Sequence, residues 1–246
     1  MIISILALFV VVVATGIAVK LRAHHQPMQL KNLLIFGGAY LFSITVIHLL
    51  PEVFKHANDQ PYLGYFVLLG FFFQLFLEQF SQGAEHGHIH TKSHHNHFYT
   101  QPVFLMLSLS IHAFLEGTLL GQPEILDHEH QGFPLLMGII LHKIPAAIAL
   151  VSVLISWLGN STRVYVYLLI FALASPFGLL MSHFLNTQTL ITQQQLLILF
   201  AIVSGNFLHI STTIFFETNP DHRLNFRKFL IGLLGALAAI LAELLF

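Results

Sequence analysis

The chain has 246 residues, of which 56% are hydrophobic and only 9% charged, with 24 Phe and a formal net charge of -1. A soluble domain carries about a quarter charged residues, so this composition excludes a water-solvated globule and makes lipid the natural solvent. The near-zero charge offers no basic field for nucleic acid, and the lack of Cys excludes disulfide frameworks, thiolate metal sites and cysteine nucleophiles.

A helix needs about 20 mostly apolar residues to cross a bilayer. Eight segments meet or approach that length: Ile2–Lys20, Leu30–Leu50, Tyr62–Phe80, Pro102–Gly121, Phe133–Trp157, Val164–Leu185, Gln194–Phe216 and Phe229–Phe246. They are too long for strands and show no period-two alternation. Backbone groups in lipid must be satisfied within the segment, which selects helix. The expected fold is therefore all-α, a polytopic eight-helix transmembrane bundle forming a single domain over residues 1–246. The first segment lacks a basic start and an A-x-A-like site, so it reads as a retained helix rather than a signal peptide.

Orientation follows from Lys and Arg. With the N-terminus outside, the cytoplasmic connections hold Lys20, Arg22, Lys31, Lys92, Arg163, Arg223, Arg227 and Lys228, and the outer ones hold Lys55 alone. Both termini are thus expected outside, in what reads as the cytoplasmic (inner) membrane of a bacterium.

Histidine is the compositional anomaly: 17 His exceed the 10 Lys and Arg combined. Metal sites in this chain would use imidazole and oxygen ligands, which suit zinc and other borderline divalent ions. Residues 82–101, between spans three and four, form a polar cytoplasmic loop carrying His86, His88, His90, His94, His95 and His97. It reads as a flexible tract that captures metal weakly, or as a plain linker. The outer loop Asp127-His128-Glu129-His130 could gather ions at an entrance or be a solvated turn.

Ionisable groups inside spans are expensive, so they are informative. In span four, His112 and Glu116 are four residues apart and share one helix face. In span five, Leu141-His142-Lys143-Ile144-Pro145-Ala146 puts an imidazole and an ammonium beside a proline. Pro145 cannot donate to the Leu141 carbonyl, which predicts a kink and a polar path. A metal ion held by His112, Glu116 and His142 is one reading; a metal-free Glu116–Lys143 salt bridge is the other. His48 and Glu52 close span two in His-Leu-Leu-Pro-Glu, Asn206 and His209 share a face of span seven, and His183 lies near the outer end of span six. His48, Glu52, His183 and His209 are pathway or extra-ligand candidates, with helix caps and interhelical hydrogen bonds as the bland alternative.

The pairing of His-x-x-x-Glu-Gly at His112–Gly117 with His-Lys-Ile-Pro at His142–Pro145 resembles the ZIP (Zrt/Irt-like) metal-ion transporters. The resemblance implies a helical bundle with its metal site between spans four and five, uptake toward the cytosol, and frequent homodimers. By position it makes His112, Glu116 and His142 the transport-site ligands. Small residues in span eight, Gly232, Gly235, Ala236 and Ala239, permit close helix contact. Members often carry Glu directly after the span-five Pro, where this chain has Ala146, and Ser, Asn or Asp after the span-four His, where it has Ala113. A single-metal site follows, with Lys143 standing where a second metal's charge would be.

The expected cargo is Zn2+, with Fe2+, Mn2+, Cd2+, Co2+ and Ni2+ as alternatives and no organic cofactor. The ion would enter by Asp127–His130 and leave past His48 and Glu52 to the His-rich loop. Rival readings are a non-transporting metal sensor and an intramembrane metal-dependent hydrolase. The second lacks an H-E-x-x-H helix, so the chain is not expected to be an enzyme.

Overall fold

The computed structural model describes residues 1–21, 27–55, 62–81, 102–122, 132–159, 161–217 and 226–245. The whole His-rich tract and Asp127–His130 lie outside the described residues. All regular elements among the described residues are helices: α1 (Ile2–Leu21), α2 (Pro27–Ile44), α3 (Leu50–Lys55), α4 (Leu63–Ser81), α5 (Pro102–Leu120), α6 (Gly132–Leu158), α7 (Arg163–Thr187), α8 (Gln193–Glu217) and α9 (Phe226–Leu245). A π-helical turn, Thr45–Leu49, joins α2 to α3 without a break. Eight helices are thereby long and apolar enough to cross a membrane, with α2 and α3 forming one span. The chain is an integral membrane protein.

Span two differs from its expected end at Leu50, because the helix runs on to Lys55. The reason is local. Pro51 has no N–H for the carbonyl four residues back, and its ring crowds that carbonyl. The turn before it widens, so that the Leu50 N–H donates to the Thr45 carbonyl, five residues back. The helix survives the proline by opening, not by stopping.

In lipid no hydrophobic force drives helices together, so close packing relies on small residues. Gly70 of α4 lies against the Ile202 carbonyl of α8, and Gly205 of α8 against the Val67 carbonyl. Gly117 of α5 lies against the Ser175 carbonyl of α7, and Gly178 of α7 against the Phe114 carbonyl. The Ser175 hydroxyl adds a bond to the Ala113 carbonyl at 2.5 Å. Any side chain at these glycines would meet backbone, which cannot step aside. Gly235 of α9 meets the Phe36 carbonyl of α2, and Gly232 and Ala239 are buried too. The small-residue face of span eight is therefore occupied by α2 of the same chain.

The most enclosed spans are α2–α3, α6 and α8, whereas α1, α4 and α9 form the rim. Large apolar side chains such as Phe72, Leu169, Phe177 and Leu241 point outward all around the bundle, as lipid contact requires. α2 and α6 run antiparallel, since Gly37 faces Leu141 while Tyr40 donates to the Pro134 carbonyl at 3.0 Å.

Candidate metal site

The four-residue spacing on α5 turns His112 and Glu116 to the same side, where both are buried, Glu116 completely. α6 supplies His142 and Lys143, also buried. The His112 and His142 rings meet edge to face, with centroids 5.6 Å apart. One ligand atom each from His112, Glu116 and His142 lies within 4.8 Å of the others. Around a tetrahedral zinc with bonds of about 2.0–2.2 Å, ligand atoms stand roughly 3.3–3.6 Å apart. The three groups thus need to draw in by little more than about 1 Å to close on such an ion.

The charges in the site are matched, but its hydrogen bonding is incomplete. Lys143 Nζ is 2.6 Å from Glu116 Oε2, and His112 Nε2 is 2.9 Å from Glu116 Oε1. Even so, neither carboxylate oxygen nor His112 Nε2 makes a hydrogen bond of ordinary geometry among the described residues. Buried polar atoms without a hydrogen-bond partner are costly, and a divalent cation is the kind of ligand that would use the lone pairs of the carboxylate oxygens. Lys143 Nζ also stands over the Phe171 ring, 5.3 Å from its centroid. Both sequence readings of Glu116 therefore meet in one geometry: the ammonium takes one oxygen and leaves the other turned toward the imidazoles.

Ala113 and Ala146 are both buried in one apolar cluster with Leu109, Ala147 and Leu150. Neither alanine offers a side-chain ligand atom.

Sequence reasoning did not count Asn206 among the site residues. On α8 it is completely buried, and its Nδ2 lies 3.2 Å from His112 Nδ1. The available signal was an amide at mid-span, which lipid does not tolerate without a partner. Two carboxylates were missed on the same ground. Glu78 of α4 lies 3.4 Å from His209 Nε2, whose ring packs edge-on to Phe71 at 4.8 Å. Glu243 of α9 lies 2.8 Å from His48 Nδ1. Glu52 is nearly buried, 3.8 Å from Lys55. His183 is half-buried on α7. Among the described residues, His48, Glu52, His183 and His209 join no group of three ligand-type side chains.

One expectation is corrected by the helix directions. The exit was drawn past His48 and Glu52, but the His48–Glu243 contact ties the last turns of span two to the last turns of α9. These residues lie at the bundle end that holds the C-terminus, opposite the connection that follows α4. Under the positive-inside orientation, that is the outer end. His209 and Glu78 lie toward the other end, since Glu78 is three residues from the end of α4.

The model of the ZIP zinc transporter family matches residues 84–242. Zinc transporter ZIP9 of Xenopus tropicalis is 32% identical over 121 residues, 49% of this chain and 39% of that protein. Zinc transporter ZIP9 of Micropogonias undulatus is 31% identical over 124 residues, 50% of this chain and 39% of that protein. Zinc transporter ZIP1 of Plasmodium falciparum is 26% identical over 222 residues, 63% of this chain and 61% of that protein. The matched stretch spans about two fifths of the length of the ZIP9 relatives. The family match covers α5 to α8, most of α9 and every member of the buried cluster, and on that extent the chain belongs to the ZIP zinc transporter family.

Proposed function

We propose that the protein carries a divalent cation, zinc by preference, across the bilayer toward the cytosol through one site formed by His112, Glu116 and His142. The observation that carries this reading is the convergence of two imidazoles and a carboxylate within 4.8 Å, fully enclosed between two membrane-crossing helices. In such a place an ionisable cluster without a function is hard to sustain. Two nitrogens and an oxygen suit zinc, and iron, manganese, cobalt, nickel and cadmium accept the same set. Three protein ligands leave room for a water or a further side chain, which keeps affinity moderate enough for release.

In this scheme the ion approaches from the outer end, where His48 and Glu52 lie. It is stripped of most of its water at His112, Glu116 and His142, and moves inward by His209 and Glu78 to the His-rich loop. The proposal extends to a homodimer in the lipid bilayer, and to the cytoplasmic membrane of a bacterium as its place. The relatives above are eukaryotic, and the name of each describes a zinc transporter, not an enzyme. The non-transporting sensor is the reading to beat.

The test is metal flux into proteoliposomes containing purified protein, across zinc, iron, manganese and cadmium. Glu116→Ala and His112→Ala should each abolish flux while the protein remains in the membrane. Undiminished flux in Glu116→Ala defeats the site. Bound metal without flux in the wild type favours the sensor.

A further inference from the structure

We infer that Asn206 is a positioning residue whose side-chain amide sets the tautomer of His112, and that a turn of this amide switches His112 between a metal-refusing state and a metal-accepting one. The inference rests on the metal-site reading above and goes beyond it by assigning a role to a helix that contributes no ligand.

An Asn206 Nδ2 at 3.2 Å from His112 Nδ1 can bond only by donating, because an amide nitrogen has no lone pair to offer. Nδ1 is then the acceptor nitrogen, and the single proton of a neutral imidazole sits on Nε2. Nε2 is the nitrogen that faces Glu116 Oε1 at 2.9 Å. In this state the Nε2 proton lies near Glu116 Oε1 without closing an ordinary hydrogen bond, and Nε2 has no lone pair for a metal ion.

Coordination through Nε2 requires the other tautomer, with the proton on Nδ1 and an acceptor opposite it. Asn206 carries that acceptor. Its Oδ1 is buried and makes no hydrogen bond among the described residues. Half a turn of the amide exchanges Nδ2 for Oδ1 and breaks only one bond in doing so. The Nδ1–H then donates to Oδ1, and the Nε2 lone pair is free to bind the ion. Metal-bound imidazoles commonly donate their second nitrogen to such an oxygen, and losing that partner typically costs 10–100-fold in metal affinity. Other side chains at the site fit this role less well: Lys143 has donors only, and Ala113 and Ala146 have none.

The experiment is solid-state NMR of the full chain in lipid, 15N-labelled at histidine, without and with Zn2+. His112 is identified by the signal lost in His112→Gln. Zn2+ affinity is measured in parallel for the wild type, Asn206→Leu and Asn206→Asp. Leu matches the size of Asn with no acceptor, whereas Asp keeps an oxygen for Nδ1–H at all times. The expected result is a proton on Nε2 without metal and on Nδ1 with it. Zn2+ affinity should fall about 10–100-fold in Asn206→Leu and be largely kept in Asn206→Asp. Asn206→Asp should also show the Nδ1–H tautomer before metal is added, a signature that loss of packing would not give.

An Nδ1–H tautomer in the metal-free wild type overturns the inference. So does Asn206→Leu binding Zn2+ as tightly as the wild type. Should Asn206→Leu fail to fold, the wild-type and Asn206→Asp spectra decide alone. A wild type that binds no Zn2+ sinks the metal site itself, a failure distinct from a site that binds well without Asn206.

Discussion

Replacing Lys143 with methionine removes the one ammonium beside a completely buried carboxylate while keeping most of the side-chain volume. At 2.6 Å and an effective dielectric of about 20, the Lys143–Glu116 attraction is about 6 kcal/mol. Desolvation of both groups offsets much of this, so the pair is worth less than its Coulomb energy, yet deleting one partner strands a buried charge at about 3–5 kcal/mol. At about 2–4 °C per kcal/mol for a chain of this size, the melting temperature should fall by roughly 6–20 °C. The assay is thermal unfolding of purified protein in detergent, with EDTA and with excess zinc. Lys143→Met should be weak in EDTA and recover in zinc, because a bound divalent ion compensates Glu116 in place of the ammonium. Glu116→Gln should be weak in both, since the stranded Lys143 gains nothing from a site that has lost its carboxylate. The double variant Glu116→Gln/Lys143→Met should recover most of the loss without metal, because neither charge remains to be stranded. Additive losses in the double variant would refute the coupling, and a Lys143→Met protein indifferent to zinc would refute Glu116 as a ligand.

Two other outcomes are expected. Gly117→Val places a branched side chain against the Ser175 carbonyl. The resulting separation of α5 from α7 should move His112 and Glu116 off their positions and cut zinc flux by roughly tenfold or more, whereas Gly64→Val, with open space around it, should leave flux unchanged. His209→Ala and Glu78→Gln should lower the maximal flux several-fold with little change in the half-saturating zinc concentration, as read from initial rates in proteoliposomes; a change confined to half-saturation would place them before the site, not after it.

The fold was largely legible because lipid restricts the choices. Eight apolar runs of spanning length can only become helices, and each run expected from the sequence has its helix in the structure. His112 and Glu116 were legible because a four-residue spacing on a helix is itself a spatial statement. His142 and Lys143 stood out because charge and imidazole are rare in mid-span. The rest depended on which helices touch. Nothing along the chain says that α8 packs where Asn206 meets His112, or that α4 brings Glu78 to His209. Pro51 removes a backbone donor, and a proline can end a helix or widen it. Only the partners of the following turn, Glu52 and Val53, both buried, made continuation the better solution. The exit differs because the alternation of spans puts the last turns of span two at the outer end, a direction that its residues alone do not carry.

The widened turn at Thr45–Leu49 also alters how sequences should be lined up. Inward-facing pairs recur there at Ile44/Thr45, His48/Leu49 and Glu52/Val53, always four apart. An unbroken α-helix would drift by about 80° over those two steps, swinging Val53 toward the lipid-facing side that holds Val46. The π turn absorbs the surplus residue and keeps Glu52 and Val53 inside together. A relative with a regular helix here would have to be one residue shorter to present the same face. An ungapped comparison would then pair inward positions with outward ones from Pro51 onward, and conservation of Glu52 would be missed or falsely assigned. Deleting a single residue within 45–49 should therefore turn the π turn into regular helix and leave Glu52 and Val53 inside, without rotating the outer end of this span.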